Sequence, residues 1–118
     1  MSNIVTYDKD LNEKILSGKA MEGFEQYYDD KVVMQENSDE PHVGKDVNRK
    51  RELDFFNNIA EFHGAKLESS AINGDTTFGQ WWMDVTFKGG VRFALTQIAV
   101  RKWKDGKIVN ERFFYNKN

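Results

Sequence analysis

Residues 81–115 read WWMDVTFKGGVRFALTQIAVRKWKDGKIVNERFFY, and this stretch decides the fold. Apolar and polar residues alternate along it, which is the two-residue period of a half-buried β-strand. Turn signals at Lys88-Gly89-Gly90 and Lys104-Asp105-Gly106 divide the stretch, and a third, Asn73-Gly74-Asp75, precedes it. The chain after Gly64 is therefore predicted to form four strands joined by hairpins.

The turns also predict which side chains share a face of this sheet. Three-residue loops at Lys88-Gly89-Gly90 and Lys104-Asp105-Gly106 would place Phe87 opposite Val91 and Trp103 opposite Lys107. The inner face then carries Trp81, Met83, Val85, Phe87, Phe93, Leu95, Gln97, Ala99, Trp103, Val109, Glu111, Phe113 and Tyr115. This face is aromatic with two isolated polar groups, and we expect it to pack against helices.

The opposite, outer face of the predicted sheet is too apolar for plain exposure to water. Its large apolar members are Trp82, Ile98, Val100, Ile108 and Phe114. Together they would form an unusually large exposed patch on a single chain. We therefore expect a homodimer in which this outer face packs on a second subunit.

The first half of the chain is predicted to supply three helices and one short strand. Apolar positions at helical spacing are Leu11, Ile15 and Leu16, then Met21, Phe24, Tyr27 and Tyr28, and after Gly44 Val47, Phe55, Phe56, Ile59, Ala60 and Phe62. Gly18 would end the first helix, and the third is expected to end near Gly64. Val32-Val33-Met34 is typical of a short strand. Helices followed by a long sheet make an α+β fold, and residues 1–118 are interpreted as one domain.

The predicted sheet has to curve. The strand at 91–103 holds 13 residues, which would be about 43 Å long if straight, whereas a domain of this size is only about 35 Å across. A bend or a β-bulge along the strand resolves the difference.

Composition excludes several classes of function. The 118 residues include 17 Lys plus Arg and 19 Asp plus Glu, for a net charge of −2, and no cysteine. The absence of cysteine excludes disulfide scaffolds, thiolate zinc sites and cysteine nucleophiles. The mixed charges form no basic patch of the kind that binds nucleic acids. The short basic run Arg49-Lys50-Arg51 is interpreted as the solvent-exposed face of a helix. Without a membrane-spanning run or a basic leader, we expect a cytoplasmic protein and no membrane partner.

Two segments carry a resemblance to a known family. YDDKVVMQEN at 28–37 follows the second predicted helix, and WKDGKIVNERFFY at 103–115 ends the chain. With these two segments, and with the predicted order of two helices, a short strand, a third helix and four long strands, the chain resembles the SnoaL-like branch of the nuclear transport factor 2-like superfamily. The resemblance covers nearly the whole chain. The resemblance implies a cone-like roll, also called cystatin-like, in which three N-terminal helices pack on a strongly curved, mainly antiparallel sheet. It further implies a pocket between helices and sheet, and often a dimer through the sheet.

The same superfamily includes ketosteroid isomerases and polyketide cyclases, but their catalytic residues are mostly replaced here. The resemblance aligns the isomerase oxyanion tyrosine with Leu11, its base aspartate with Gln35, and its protonated aspartic acid near Ala99. The His-Trp-Asp pattern of the cyclases aligns with Glu111-Arg112-Phe113. Standard isomerase or cyclase chemistry is therefore not expected, and the sequence leaves open whether this protein is an enzyme.

Glu111 is the candidate catalytic group. A carboxylate on an aromatic face would have a raised pKa and could serve as a general acid or base, although a structural salt bridge is the alternative. The predicted ligand pocket consists of Tyr28, Gln35, Trp81, Met83, Leu95, Gln97, Phe113 and Tyr115. On the first strand, alternation directs Glu36 opposite to Gln35 and Asn37, and the sequence does not choose between the two faces.

Three functions follow as hypotheses. The first is a binding protein whose aromatic pocket holds a small, mostly apolar, ring-shaped ligand, oriented by Gln97, Glu111 and a tyrosine. The second is a noncanonical isomerase, dehydratase or hydrolase that uses Glu111 as acid or base. The third is a dimeric protein-interaction module whose cavity is closed by Trp81, Phe93 and Phe113, whereas the first two need an open cavity.

No cofactor and no metal site are expected from the sequence. His42 and His63 are far apart in the chain and lack the spacing of paired metal ligands. No glycine-rich phosphate-binding motif accompanies Gly44.

Overall fold

The computed structural model of the chain describes residues 3–117 and confirms the predicted α+β class. Its helices are α1 (Ile4–Leu16), α2 (Ala20–Tyr27) and α3 (Lys45–Asn57). Its strands are β1 (Tyr28–Glu36), β2 (His42–Val43), β3 (Ile59–Asn73), β4 (Thr76–Phe87), β5 (Arg92–Lys104) and β6 (Lys107–Tyr115).

All six strands form one sheet in the order β2-β1-β6-β5-β4-β3. Neighbouring strands are antiparallel except for β1 and β6, which run parallel. Register shifts interrupt the pairing of β1 with β6, of β3 with β4 and of β5 with β6. Such bulges bend a strand and increase its twist, so they contribute to the curvature of the sheet. The longest dimension of the molecule is 46 Å, so the length of 91–103 does not by itself require a bend.

The inner face of the sheet packs against the helices, as expected. The buried core joins α1 and α2 to β1, β5 and β6 through Ile4, Leu11, Phe24, Tyr27, Tyr28, Val32, Met34, Trp103 and Ile108. The two helices approach closely at Gly23, where an added Cβ would lie 2.6 Å from Cδ1 of Leu11. No helix within residues 3–117 is long and apolar enough to cross a membrane.

The predicted register is right at one hairpin and wrong at the other. Phe87 N donates to Val91 O at 2.8 Å, as the three-residue loop requires. At the last hairpin the loop has two residues, because Asp105 and Gly106 both adopt positive φ, at 51° and 78°. That geometry is typical of the tight turn whose twist matches its flanking strands.

This tight turn changes the position of Ile108, which the prediction assigned to the outer face. Lys104 pairs with Lys107, and a register shift after Lys102 brings Ile108 opposite Trp103. Ile108 is 0% exposed and belongs to the core. The prediction that it contributes to an outer interface is wrong, because the loop is one residue shorter than expected.

The third helix also ends earlier than predicted. It stops at Asn57, and Ile59, Ala60 and Phe62 belong to β3 instead of the helix. Three register shifts between β3 and β4 break the two-residue alternation of this strand, so its apolar residues imitate a helical spacing. Pairing with β4 satisfies the backbone hydrogen bonds of this segment and decides in favour of the strand.

Candidate functional site

A cavity of about 310 Å³ lies between the helices and the inner face of the sheet. Aromatic side chains line it, among them Trp82, which was predicted for the outer face. The aromatic lining residues are Phe24, Tyr28, Phe55, Phe56, Phe62, Trp81, Trp82, Phe93, Phe113 and Tyr115. Leu11, Ile15, Met21, Met83, Leu95 and Ala99 add aliphatic surface. The cavity is within the usual range for small-molecule sites, about 300–1,000 Å³.

Every residue predicted for the pocket except one lines this cavity. The lining residues are Tyr28, Trp81, Met83, Leu95, Gln97, Phe113 and Tyr115, together with Glu111. Gln35 is not among them, and its Nε2 donates to the Asp39 carbonyl at 2.8 Å. Val32 and Met34 point into the core, so alternation brings Glu36 to the cavity and turns Gln35 away from it.

Glu111 lies at the buried end of the cavity with both carboxylate oxygens hydrogen-bonded. Its Oε1 accepts a hydrogen bond from the Tyr28 hydroxyl at 2.5 Å, and its Oε2 accepts one from Arg101 Nε at 2.8 Å. Glu111 is 1% exposed. Both oxygens of this carboxylate are therefore engaged by protein groups, one of them in a charge-assisted contact with Arg101.

Arg101 connects this pair to helix α1. Its Nη1 donates to Asp8 Oδ1 at 2.8 Å and to Asn12 Oδ1 at 2.7 Å. We call Asp8, Asn12, Tyr28, Arg101 and Glu111 the floor network. Thr77 extends it, since its hydroxyl donates to Asp8 Oδ1 and accepts from Trp103 Nε1.

Burial and charge act together on the floor network. Desolvation raises the pKa of Tyr28 well above its usual value, and the neighbouring charge of Glu111 raises it further. Burial alone would lower the pKa of Arg101, but the charges of Glu111 and Asp8 and the hydrogen bond to Glu111 outweigh burial, and the pKa is raised. Tyr28 is therefore a hydrogen-bond donor and Arg101 a permanent cation.

A second polar group, the rim cluster, consists of Glu36, Arg51 and Tyr115. Glu36 Oε2 accepts from Arg51 Nη2 at 2.6 Å, and Glu36 Oε1 accepts from the Tyr115 hydroxyl. Desolvation raises the pKa of Tyr115, and its hydrogen bond to Glu36 adds to the effect. Both oxygens of Glu36 are therefore also satisfied by the protein.

Glu52 is different, because no other residue of 3–117 forms a hydrogen bond or an ion pair with its carboxylate. It lies half-buried on α3 and lines the cavity. The pKa of Glu52 is raised from 4.5 to about 7. Desolvation is the largest cause, the charges of Glu111 and Glu36 add to it, and the charge of Arg51 acts in the opposite direction. Glu52 is therefore the carboxyl group of the cavity that can change its protonation state near neutral pH.

Helix α3 is anchored in a way that directs Glu52 inward. Asn48 is completely buried, and its Nδ2 donates to the carbonyls of Gly44 at 2.9 Å and His42 at 3.0 Å. One turn later Arg51 and Glu52 lie on the same side of the helix as Asn48. This anchor fixes the rotation of the helix about its axis.

A family model described as SnoaL-like domain matches residues 9–115. The chain belongs to the SnoaL-like family. Among solved structures, a Mesorhizobium loti protein that carries the name SnoaL-like polyketide cyclase is similar, with a TM-score of 0.87 and 29% identity over 97% of this chain and 100% of that one. A search of curated proteins finds no match to the sequence.

More distant structures show the same fold. A Xanthomonas campestris protein of unknown function with a cystatin-like fold is 16% identical, with a TM-score of 0.84, covering 98% of this chain and 92% of that one. A nuclear transport factor 2-like protein of unknown function from Burkholderia pseudomallei is 15% identical, with a TM-score of 0.82 and the same coverage.

In this SnoaL-like protein, the positions aligned with the isomerase catalytic residues contribute no acid or base to the cavity. Leu11 and Ala99 line the cavity with hydrocarbon surface only. Gln35 lies outside it. The polar groups that do reach the cavity come instead from β1, α3, β5 and β6.

Sequence reasoning missed three charged residues of this SnoaL-like cavity, namely Arg101, Arg51 and Glu52. Arg101 lies two residues from both Ala99 and Trp103, so alternation places it on the inner face. The sequence predicts Arg51 on a solvent-exposed helix face, but its guanidinium donates a hydrogen bond to Glu36. Asn48, Arg51, Glu52 and Phe55 follow the i, i+3, i+4, i+7 spacing of one helix face, and that spacing is the signal that could have found Glu52.

Gln97 supplies the remaining polar group of the SnoaL-like cavity. It lies on β5 between Trp81 on β4 and Tyr115 on β6. Its side-chain amide forms no hydrogen bond with other residues in the described range 3–117. The amide can therefore donate to or accept from a ligand. In the same range no group of His, Cys, Asp and Glu side chains is arranged to hold a metal ion.

Proposed function

We propose that this SnoaL-like protein binds a small, mostly apolar, ring-shaped molecule in its aromatic cavity. The observation that carries the proposal is an open space of about 310 Å³ with aromatic walls and few polar groups. Apolar walls supply most of the binding free energy in such sites, and a few placed polar groups fix the orientation of the ligand. Gln97 and Glu52 are the groups left free for that purpose.

The open cavity favours ligand binding over a closed interaction module. Trp81, Phe93 and Phe113 line the space without filling it. An empty apolar space costs stability, because its wall atoms lose dispersion contacts. A protein that used this domain only as a scaffold would gain stability by filling it.

Acid–base catalysis is the second candidate function, and the geometry favours Glu52 over Glu111 as the reacting group. Both oxygens of Glu111 are bound by Tyr28 and Arg101. Glu52 lines the cavity, has no hydrogen-bond or ion-pair partner among residues 3–117, and has a pKa of about 7, which is where a general acid or base is most effective. The name of the Mesorhizobium loti relative, a SnoaL-like polyketide cyclase, is compatible with a catalytic role.

Ligand binding is tested by native mass spectrometry of the purified protein, with a denatured sample as control, and by titration with 2-naphthol as an aromatic probe. We expect a releasable adduct or binding of the probe. Leu95→Trp should weaken probe binding at least about tenfold, because the larger ring occupies the cavity. Leu53→Trp, at an exposed position of α3, should leave binding unchanged. Absence of both adduct and probe binding would contradict the proposal.

We further propose a homodimer through the outer face, now without Ile108. Ile98 is 37% and Phe114 41% exposed on this face. Trp82 and Val100 are half-buried beside them. Asp84 and Arg92 form an ion pair at 2.8 Å on the same face, so the patch combines apolar surface with charges of both signs, as a self-complementary two-fold interface requires.

Analytical ultracentrifugation tests the dimer. The wild type should sediment as a dimer, and Phe114→Glu should give a folded monomer, because a two-fold interface would bury the new charge twice. Val5→Glu is the matched control, since Val5 is an exposed apolar residue of α1. A monomeric wild type would overturn the proposal. The cytoplasmic location remains a prediction from the sequence.

A further inference from the structure

We propose that the ligand of this cavity is an organic cation, an apolar amine whose ammonium group pairs with Glu52. The inference rests on the proposed function and specifies the charge of the ligand. It follows from a count of the charges that line the cavity and from the nature of its walls.

Each charged group that lines the cavity has an opposite partner except one. Glu36 binds Arg51 at 2.6 Å, and Glu111 binds Arg101 at 2.8 Å. Glu52 has no such contact with any described residue between 3 and 117. The charge that would balance the cavity is therefore one positive charge, placed beside Glu52.

The surroundings of Glu52 make its negative charge unfavourable in the empty protein. Burial is the largest cause, and the carboxylates of Glu111 on β6 and Glu36 on β1 add repulsion. Arg51 on the same helix gives partial relief, but its guanidinium is bound to Glu36. Of the other charged or titratable groups, Arg101 is bound to Glu111 and Asp8, while Tyr28 and Tyr115 donate to Glu111 and Glu36. A ligand cation would remove this cost.

The walls favour an organic ammonium ion over a metal ion. A divalent metal needs several oxygen or nitrogen ligands, and no suitable group of side chains exists among residues 3–117. Phe24, Phe55, Trp81 and Phe113 instead offer ring surfaces. Aromatic rings attract cations through their quadrupole, and they contact the hydrocarbon substituents of an amine as well.

The test compares two probes of the same shape. Benzyltrimethylammonium carries a permanent charge, and neopentylbenzene replaces its nitrogen with carbon. Their affinities are measured by displacement of 2-naphthol near pH 8 and near pH 5.5. Because neither probe titrates, any pH dependence of the preference for the cation comes from the protein.

The wild type should bind the cation at least about tenfold more tightly than the neutral probe near pH 8, since a partly buried ion pair with Glu52 is worth at least roughly that factor. The preference should fall near pH 5.5, where Glu52 holds a proton. Glu52→Gln should reduce the preference near pH 8 to its wild-type value near pH 5.5 and remove its pH dependence, while keeping the affinity for neopentylbenzene. Glu13→Gln removes the same charge from an exposed position of α1 and should keep the preference.

Four results would overturn the inference. Equal affinity of the wild type for both probes would show that the cavity does not select a cation. A preference near pH 8 that is undiminished in Glu52→Gln would assign the selection to another group. If 2-naphthol binds but both other probes fail to displace it, the ligand-binding proposal stands and the cation proposal fails. If 2-naphthol itself does not bind, both fail together.

Discussion

Replacing Arg101 with methionine is expected to lower the free energy of unfolding by about 3–5 kcal/mol, which is the usual cost of breaking a buried ion pair from one side. Arg101 is 4% exposed and is bound to Glu111, Asp8 and Asn12. Methionine has a similar length but donates no hydrogen bond, so two carboxylates would lose their common cation. Urea denaturation followed by circular dichroism measures the change.

The domain itself has only about 5–15 kcal/mol of stability to lose, so Arg101→Met can prevent folding altogether. Arg101→Lys therefore accompanies it and is expected to lose less, because an ammonium group keeps the charge but cannot reach all three acceptors. Lys102→Met is the control at the exposed neighbouring position. If Arg101→Met costs no more than this control, the floor network does not stabilise the fold as described.

Glu52→Gln is expected to raise the free energy of unfolding near pH 8 by about 3 kcal/mol. The pKa of Glu52 is raised from 4.5 to about 7. As the pH rises between these values, the unfolded chain releases a proton that the folded protein still holds. The stability of the wild type therefore falls across this window, and the full cost is present above it. Glutamine does not titrate, so the variant avoids the cost.

The pH dependence of this difference identifies its cause. Near pH 5 the two proteins should differ by less than about 1 kcal/mol, because the folded protein is protonated and the unfolded chain only partly ionised. The two proteins differ only at position 52, so the comparison isolates the contribution of this side chain. Glu13→Gln should follow the wild type at both pH values. A variant that is less stable than the wild type near pH 8 would show that Glu52 is stabilised by the protein.

A residue that weakens the fold at neutral pH is most simply explained by function. Proteins accept such costs where a binding or catalytic site needs a group in an unfavourable environment. Arg101→Met and Glu52→Gln therefore separate two kinds of buried charge in one cavity. Arg101 holds the structure together, while Glu52 is available to a ligand.

Local sequence was sufficient to predict those features of the fold that follow from a short-range rule with a single outcome. The alternation in β4 and β5 predicted the inner face correctly, because successive side chains of a strand point to opposite sides. The two glycines after Lys88 predicted the first loop correctly. The last hairpin was predicted wrongly, because Asp105 adopts positive φ and shortens the loop. That difference of one residue transferred Ile108 from the outer face to the core.

The boundary between α3 and β3 depended on distant residues. Nothing in the local spacing of Ile59, Ala60 and Phe62 separates a helix from a bulged strand. Pairing with β4 decides in favour of the strand, since Ile59 lies opposite Phe87 and Phe62 opposite Val85. These partners are too far along the chain for a local pattern to include them.

By itself the sequence determined the α+β class, the curved sheet and the aromatic wall of the cavity, because these follow from apolar periodicity and turn residues. Only the tertiary structure decided which charged groups are paired and which is free. Glu111, Arg101 and Asp8 come from opposite ends of the chain, and their contact depends on how helix α1 packs on the sheet. Glu36 and Glu111 each have a cationic partner, whereas Glu52 has none within the described part of the chain. Such contacts between distant side chains are a property of the folded chain.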